Sequence, residues 1–270
     1  MALFLLFAHL LGLLSSLHAL MTVRTAQGTI AWIVSLNTLP LAAVPAYWVF
    51  GRSRFEGYVV ARQARDLAAD PQARALGERL APLLPDFARG PGVALAGQRL
   101  ARLPYLGGNE VELLEDGEAT FRSLFEGIER AREYLLVQYY IVRDDRLGRE
   151  LRDRLAARAR DGVKVRFLYD EIGSSALPRS YARALAAAGV EVAPFGTTRG
   201  PGNRFQLNFR NHRKIVVADG EEGWVGGLNV GDEYLGREPR TAPWRDTHVR
   251  IAGPAVLGLQ LSFLEDWHWA

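Results

Sequence analysis

His212 and Lys214 stand two residues apart in "NHRKIVVADGEEGWVGGLN", residues 211–229. The chain carries 33 Lys plus Arg, yet its lysines are Lys164 and Lys214 alone. A lysine kept among so many arginines marks a place where a compact ammonium on a flexible stem fits and a planar guanidinium fork does not. Lys164 opens the apolar run "DGVKVRF" and reads as solvated. If residues 212–218 are extended, alternation puts His212, Lys214, Val216 and Ala218 on one face and Arg213, Ile215, Val217 and Asp219 on the other. Asp219-Gly220 is a turn signal, so the stretch predicts a hairpin. Gly226 and Gly227 remove side chains where a backbone must approach closely, and Asn229 adds amide donors just beyond. This set suits a phosphodiester. A neutral imidazole can attack phosphorus and form a phosphohistidine, dividing one hard displacement into two, while an ammonium and an amide stabilise charge on the non-bridging oxygens.

The elements that must position these groups alternate. "VELLED" predicts a strand, "GEATFRSLFEGIERAR" a helix with Phe121, Leu124, Phe125 and Ile128 at helical spacing, and "YLLVQYYIV" a buried strand. The helix "LGRELRDRLAARARDG", the strand "VKVRFLYDEI", the helix "PRSYARALAAAG" and the strand "VEVAPF" follow. This order predicts an α/β sandwich around a parallel or mixed sheet, with ligands gathered in the loops at strand ends. Gln138 and Tyr140 interrupt one side of an apolar strand, and Asp170 and Glu171 close another ahead of "GSS"; each can line a site, or bond to nearby backbone and cap a helix. Arg210 ends the Gly-rich loop "GTTRGPGNRFQLNFR", residues 196–210, whose expected role is a rim that meets lipid head groups, with a plain connection as the alternative.

Ahead of this region lies an apolar end. Ala2 to Val23 contains no Asp, Glu, Lys or Arg, and Thr25 to Gly51 is a second uncharged stretch with Trp32 near one end and Tyr47 and Trp48 near the other. Each is long enough for a membrane-spanning helix, and the aromatic placement fits an interfacial belt. Residues 1–51 therefore predict a two-helix transmembrane hairpin, with Asn37, Pro40 and Pro45 marking a kink in the second helix. His9 and His18, nine residues apart, fall on opposite helix faces and read as interfacial or packing residues. Arg24 is the one charge between the spans, whereas Arg52, Arg54, Arg62 and Arg65 follow the second, which puts both termini and the downstream domain in the cytoplasm. Residues 52–92 read as a juxtamembrane linker.

Composition narrows the chemistry. At 270 residues and 49% hydrophobic, the chain can form one principal domain with appendages. Its formal charge of +3 argues against binding nucleic acid through bulk charge. With no cysteine, it has no disulfide, no thiolate zinc site and no cysteine nucleophile.

His212, Lys214, Asp219, Gly226, Gly227 and Asn229 match the H-x-K-x4-D-x6-G-G-x-N signature, and the chain thereby resembles the phospholipase D superfamily. "QYYI", "YDEIGS", "GGLNVGDEYLG", "WRDTHVRIAGPAV" and the apolar N-terminus look more specifically like bacterial cardiolipin synthases. The resemblance covers essentially the whole chain. It implies an α/β/α sandwich over residues 93–270 and transfer of a phosphatidyl group from phosphatidylglycerol through a phosphohistidine, with no metal, no organic cofactor and no nucleic-acid partner. By position, His212 is a catalytic histidine, Lys214 and Asn229 contact phosphate, and Asp219 completes the motif, with a supporting role in the hairpin on account of its opposite parity. Asp246, in "WRDTHVRI", is the expected carboxylate that orients the His212 ring; a strand-end salt bridge with Arg245 or Arg250 is its alternative. His248 and His268 are expected to be structural. The family carries two such motifs and this sequence one, so the resemblance implies either a missing second half or a second copy. Three readings stand: a cardiolipin synthase portion, a single-motif phosphodiesterase or nuclease that works as a homodimer, and a non-catalytic membrane module.

Overall fold

The computed structural model describes residues 2–23, 26–51, 71–86, 92–101, 103–196, 210–237 and 244–270. Arg52, Arg54, Arg62 and Arg65 and most of the Gly-rich loop ahead of Arg210 lie outside these residues. The chain divides into two compact units, one holding the N-terminal helices and the other the sheet.

In the first unit, α1 (Ala2–Thr22) is long and apolar enough to cross a membrane. The second apolar run differs from the expected kinked span. It forms two helices, α2 (Ala26–Thr38) and α3 (Pro40–Phe50), broken at Leu39, whose φ is −132° and ψ 55°. The cause is local: proline disfavours helical geometry in the residue before it and has no N–H to donate, which suits it to the first turn of α3. Ala8, Gly12, Ser15, Ser16 and Ala19 form the buried stripe of α1. A Cβ at Gly12 would stand 2.2 Å from the Leu36 carbonyl oxygen, so glycine there permits close backbone approach. Polar ties cross the same interface: Asn37 Nδ2 donates to Ser16 Oγ (2.8 Å), Trp48 Nε1 to Ser15 Oγ (3.1 Å), and Tyr47 Oη lies 2.7 Å from His18 Nδ1.

The second unit opens with α4 (Pro71–Leu80) and α5 (Val93–Ala101) and is built on a seven-stranded sheet. Its strands are β1 (Glu110–Glu115), β2 (Tyr134–Tyr139), β3 (Lys164–Asp170), β4 (Glu191–Phe195), β5 (Ile215–Ala218), β6 (Glu222–Gly226) and β7 (Thr247–Ala252), in the order β1-β7-β6-β5-β2-β3-β4. β2, β3 and β4 run parallel, joined by crossover helices α7 (Arg146–Arg160) and α8 (Arg179–Ala187). β5, β6, β7 and β1 pair antiparallel in succession beyond β2. Helix α6 (Asp116–Arg130) shares one face with α7 and α8, and α9 (Val256–Trp269) lies across the other, completing the α/β/α sandwich. Leu124, Ile128, Leu135, Leu151, Phe167 and Trp224 fill the core beneath α6 and α7.

Strand direction decides what meets at each edge of the sheet. The C-terminal ends of parallel β2 and β3, the start of antiparallel β5, the end of β6 and the start of β7 all lie on one edge. Tyr140, Asp170, His212, Lys214, Gly226, Gly227 and Asp246 are therefore brought together from far-apart positions. The Asp219 turn lies on the opposite edge.

Candidate active site

His212 is exposed and Lys214 is 3% exposed. The expected strand over 212–218 begins only at Ile215, so residues 211–214 have no ladder partners. The two side chains nevertheless meet, with Lys214 Nζ 2.9 Å from His212 Nδ1 and 2.7 Å from its own chain's His212 carbonyl oxygen. The Tyr140 ring completes the cluster, 4.4 Å from the His212 ring and 5.3 Å from Lys214 Nζ, a cation–π contact that helps hold a buried ammonium. Gly173 lets this happen, because a Cβ there would meet the Tyr140 carbonyl oxygen at 2.3 Å.

The electrostatics follow from these positions. Partial burial and the Lys214 ammonium hold the His212 pKa below the ordinary imidazole value, with Asp170 pulling it back up. Burial lowers Lys214 to about 8, against the opposing pull of Asp246. At neutral pH this pairs a neutral imidazole with an ammonium, the protonation states a nucleophile and a phosphate clamp require.

Asp246 stands elsewhere than expected. Its Oδ1 accepts from Thr247 N (2.7 Å), its charge acts on Lys214 and His248, and the His212 Nδ1 position it was expected to occupy faces Lys214. Asp246 directly precedes β7, two strands away from β5 in the sheet order, and the Lys214 ammonium takes the place beside the His212 ring. Gly226 and Gly227 make room for this neighbourhood: a Cβ on Gly226 would meet His248 Nδ1 at 2.4 Å, and one on Gly227 would meet Asp246 Oδ2 at 2.3 Å. His248 is 2% exposed, its Nδ1 has no hydrogen-bond partner among the described residues, and burial depresses its pKa to about 4.

Other candidates are structurally committed. Asn229, 5% exposed, accepts from Ile141 N (3.0 Å) through Oδ1 and donates through Nδ2 to Tyr234 Oη (2.9 Å). Gln138, expected to line the site, is instead 1% exposed beneath α9, where Nε2 donates to Asp266 Oδ2 (2.7 Å); its side of β2 is covered by that helix. Glu171 is exposed on the turn after β3, whereas its neighbour Asp170 is buried and accepts from Ile172 N, Gly173 N and Asn211 N. Arg210 is exposed. Asp219 accepts from Arg132 N, Glu133 N and Tyr134 N, each at 2.8 Å, and so anchors the start of β2 far from His212.

Asp266 went unnoticed in the sequence. It is a lone acid on the buried stripe of α9, three residues after Phe263, and an acid at an apolar phase of a helix was the available signal.

An exposed histidine backed by a buried lysine thus stands at one edge of a mixed sheet, the edge that also carries Gly226 and Gly227. The domain family described as "Cardiolipin synthase, PLD-like domain" matches residues 124–239, which contain all six signature residues. Over those residues the chain is similar to the phospholipase D-like domain that this family describes. Among named proteins it is similar to cardiolipin synthase A: it is 49% identical over 265 residues to that of Pseudomonas putida, covering 97% of this chain and 55% of the relative. It is 50% identical over 265 residues to that of Pseudomonas aeruginosa, covering 96% and 54%. The chain thus spans about half the length of the curated relatives it matches. A solved phospholipase D family member, Nuc from Salmonella typhimurium, aligns with 60% of this chain and 96% of its own at 18% identity and a TM-score of 0.45.

Proposed function

We infer that this chain carries one catalytic half of a phosphatidyltransferase that condenses two phosphatidylglycerol molecules to cardiolipin and glycerol. The observation that carries the reading is the pairing of exposed His212 with Lys214, 2.9 Å from its Nδ1. The His212 lone pair at Nε2 attacks phosphorus, the bond to the glycerol oxygen breaks, and glycerol leaves with a proton; a hydroxyl of a second phosphatidylglycerol then displaces the imidazole and gives cardiolipin. Lys214, 2.9 Å from Nδ1 in the structure, swings to a non-bridging oxygen when phosphate arrives. Its flexible stem allows that motion where a guanidinium fork would not. The departure of Lys214 from Nδ1 frees that nitrogen to hold the ring proton, which leaves Nε2 unprotonated for attack.

The acid that protonates the leaving alcohol comes from a second signature motif, supplied by a further half of the enzyme or by a second copy of this chain. Similarity to cardiolipin synthase A along 97% of the chain supports the lipid substrate. The helical N-terminus supports a multi-pass anchor in the bacterial inner membrane, with α2 and α3 together forming the return span, and the arginine excess after residue 51 supports a cytoplasmic sheet domain.

The test reconstitutes the chain in phosphatidylglycerol vesicles and follows cardiolipin and glycerol by mass spectrometry, with His212→Ala as control. Product that rises steeply with protein density and is absent from the control is the outcome for a site made by two copies. Product that needs an added half bearing a second motif is the outcome for a single-chain enzyme. No cardiolipin under either condition sinks the synthase reading.

A further inference from the structure

A histidine on a segment without ladder bonds takes its position from whatever side chains hold that segment. Residues 211–214 are such a segment, since β5 starts at Ile215. Asp266 holds it. This carboxylate, fully buried on α9, accepts from Asn211 Nδ2 at 2.7 Å, and both its oxygens accept from Arg213 Nη1. Asn211 and Arg213 are the residues immediately before and after His212. The alternation that turns His212 and Lys214 toward the site turns both their neighbours to the opposite face, where one carboxylate grips the pair. Asn211 is fixed from its backbone as well, through N–H donation to Asp170 Oδ2 (2.7 Å), and Arg213 N donates to Asn211 Oδ1 (3.2 Å).

We propose that Asp266 is a positioning residue for His212: by clamping Asn211 and Arg213 from beneath the sheet, it sets the height and orientation of the imidazole. Fold stability alone does not account for a buried carboxylate here. Apolar packing of the same volume is commonly as stable or more so, whereas a buried charge held by several directional bonds restricts the backbone to one arrangement. Gln138 belongs to the same device, because its Nε2 bond to Asp266 Oδ2 ties the carboxylate to β2, the strand that leads to Tyr140. The inference rests on the reading of His212 as nucleophile and adds the group that aims it.

The experiment labels histidine with 15N in the full 270-residue chain in detergent micelles and compares wild type with Asp266→Asn, which keeps shape and removes charge. Ring shifts report tautomer and titration of His212 directly, whether or not the chain turns over. The expected result is a His212 ring whose titration moves up toward the ordinary histidine value and whose shifts average between tautomers, while buried His248 keeps its own signal. Cardiolipin formation in vesicles should fall by on the order of a hundredfold, with little change in KM for lipid. An Asp266→Asn chain whose His212 ring titrates and shifts as in wild type overturns the proposal. If that variant loses the His248 signal and is unfolded, Arg213→Gln replaces it. Its side chain is 37% exposed, and its loss leaves Asn211 and Gln138 bonded to Asp266; the same ring shift supports the proposal and an unchanged ring overturns it. Wild type that never makes cardiolipin, yet shows the shift on substitution, contradicts the synthase reading and upholds the positioning.

Discussion

The bare α-carbon of Gly227 faces the carboxylate of Asp246, and a Cβ built there would stand 2.3 Å from Oδ2. Gly227→Ala must therefore move Asp246 or the turn, at a cost of about 1–3 kcal/mol. Because Asp246 is what pulls the Lys214 pKa upward, its displacement should lower that pKa further below about 8. Gly226→Ala strikes His248 Nδ1 instead, at 2.4 Å, and should destabilise by a similar amount without touching the lysine's counter-charge. Thermal unfolding of both variants, combined with NMR titration of the Lys214 ammonium, separates them; equal lysine titrations would contradict the assigned role of Asp246.

The rate should depend on pH through two groups. On the proposed mechanism turnover needs neutral His212 and charged Lys214, so kcat/KM should rise through a pKa below the ordinary histidine value and fall again near pH 8, where the buried ammonium deprotonates. Lys214→Arg should lose roughly 100- to 1,000-fold, because the fork neither fits the 3% exposed slot nor swings between imidazole and phosphate. A profile flat to pH 10 would show that Lys214 is not the group that must stay charged.

His248 makes the sheet domain acid-sensitive. Its folded pKa is about 4 against an unfolded value near 6.5, so between those values the unfolded chain binds more protons. Stability contributed by burying the neutral ring is present above about pH 6.5 and is lost as pH falls toward 4, about 3 kcal/mol in all. Unfolding midpoints recorded from pH 7 to pH 4 should decline less steeply for His248→Asn than for wild type. Parallel curves would remove His248 as the cause.

Asp219 should behave as scaffold. Removing its carboxylate strands the N–H groups of Arg132, Glu133 and Tyr134, and Asp219→Ala should cost about 2–4 kcal/mol. Part of that cost is backbone strain, since Asp219 has φ +53°; Asp219→Gly removes the carboxylate without the strain and isolates the hydrogen-bond share. Turnover per folded molecule, measured well below the melting temperature, should stay at the wild-type level for both. A loss of turnover in a fully folded Asp219→Gly chain would place the residue in the chemistry instead.

The alternation of strands and helices, the Asp219-Gly220 turn, the exposed Lys164 and the apolar helix at residues 2–22 were legible in the sequence, because each follows from periodicity or turn chemistry within a few residues. The meeting of His212 with Lys214 was legible for the same reason, as a relation two residues long. The break at Pro40 was visible only as a kink, since proline marks the place of an interruption and the packing of α1 against Leu36 and Tyr47 decides its extent.

What the sequence determined by itself was the inventory of reacting groups and the elements that carry them. What the tertiary structure decided was their distribution among roles. Gln138 left the site for the underside of the sheet because α9 covers that face of β2, and Asp170 rather than Glu171 took the inner place because Asp170 ends β3 and Glu171 opens the exposed turn beyond it. Asp246 met Lys214 and His248 because β7 reaches the site edge through β6, with Gly226 and Gly227 cleared to admit them. Asp266 gripped both neighbours of a residue 54 positions away, a contact made by laying one helix across the sheet and by no local pattern in the chain. Short-range order is written in residue spacing, whereas the partner of a buried carboxylate is set by strand order, and strand order is a property of the folded sheet.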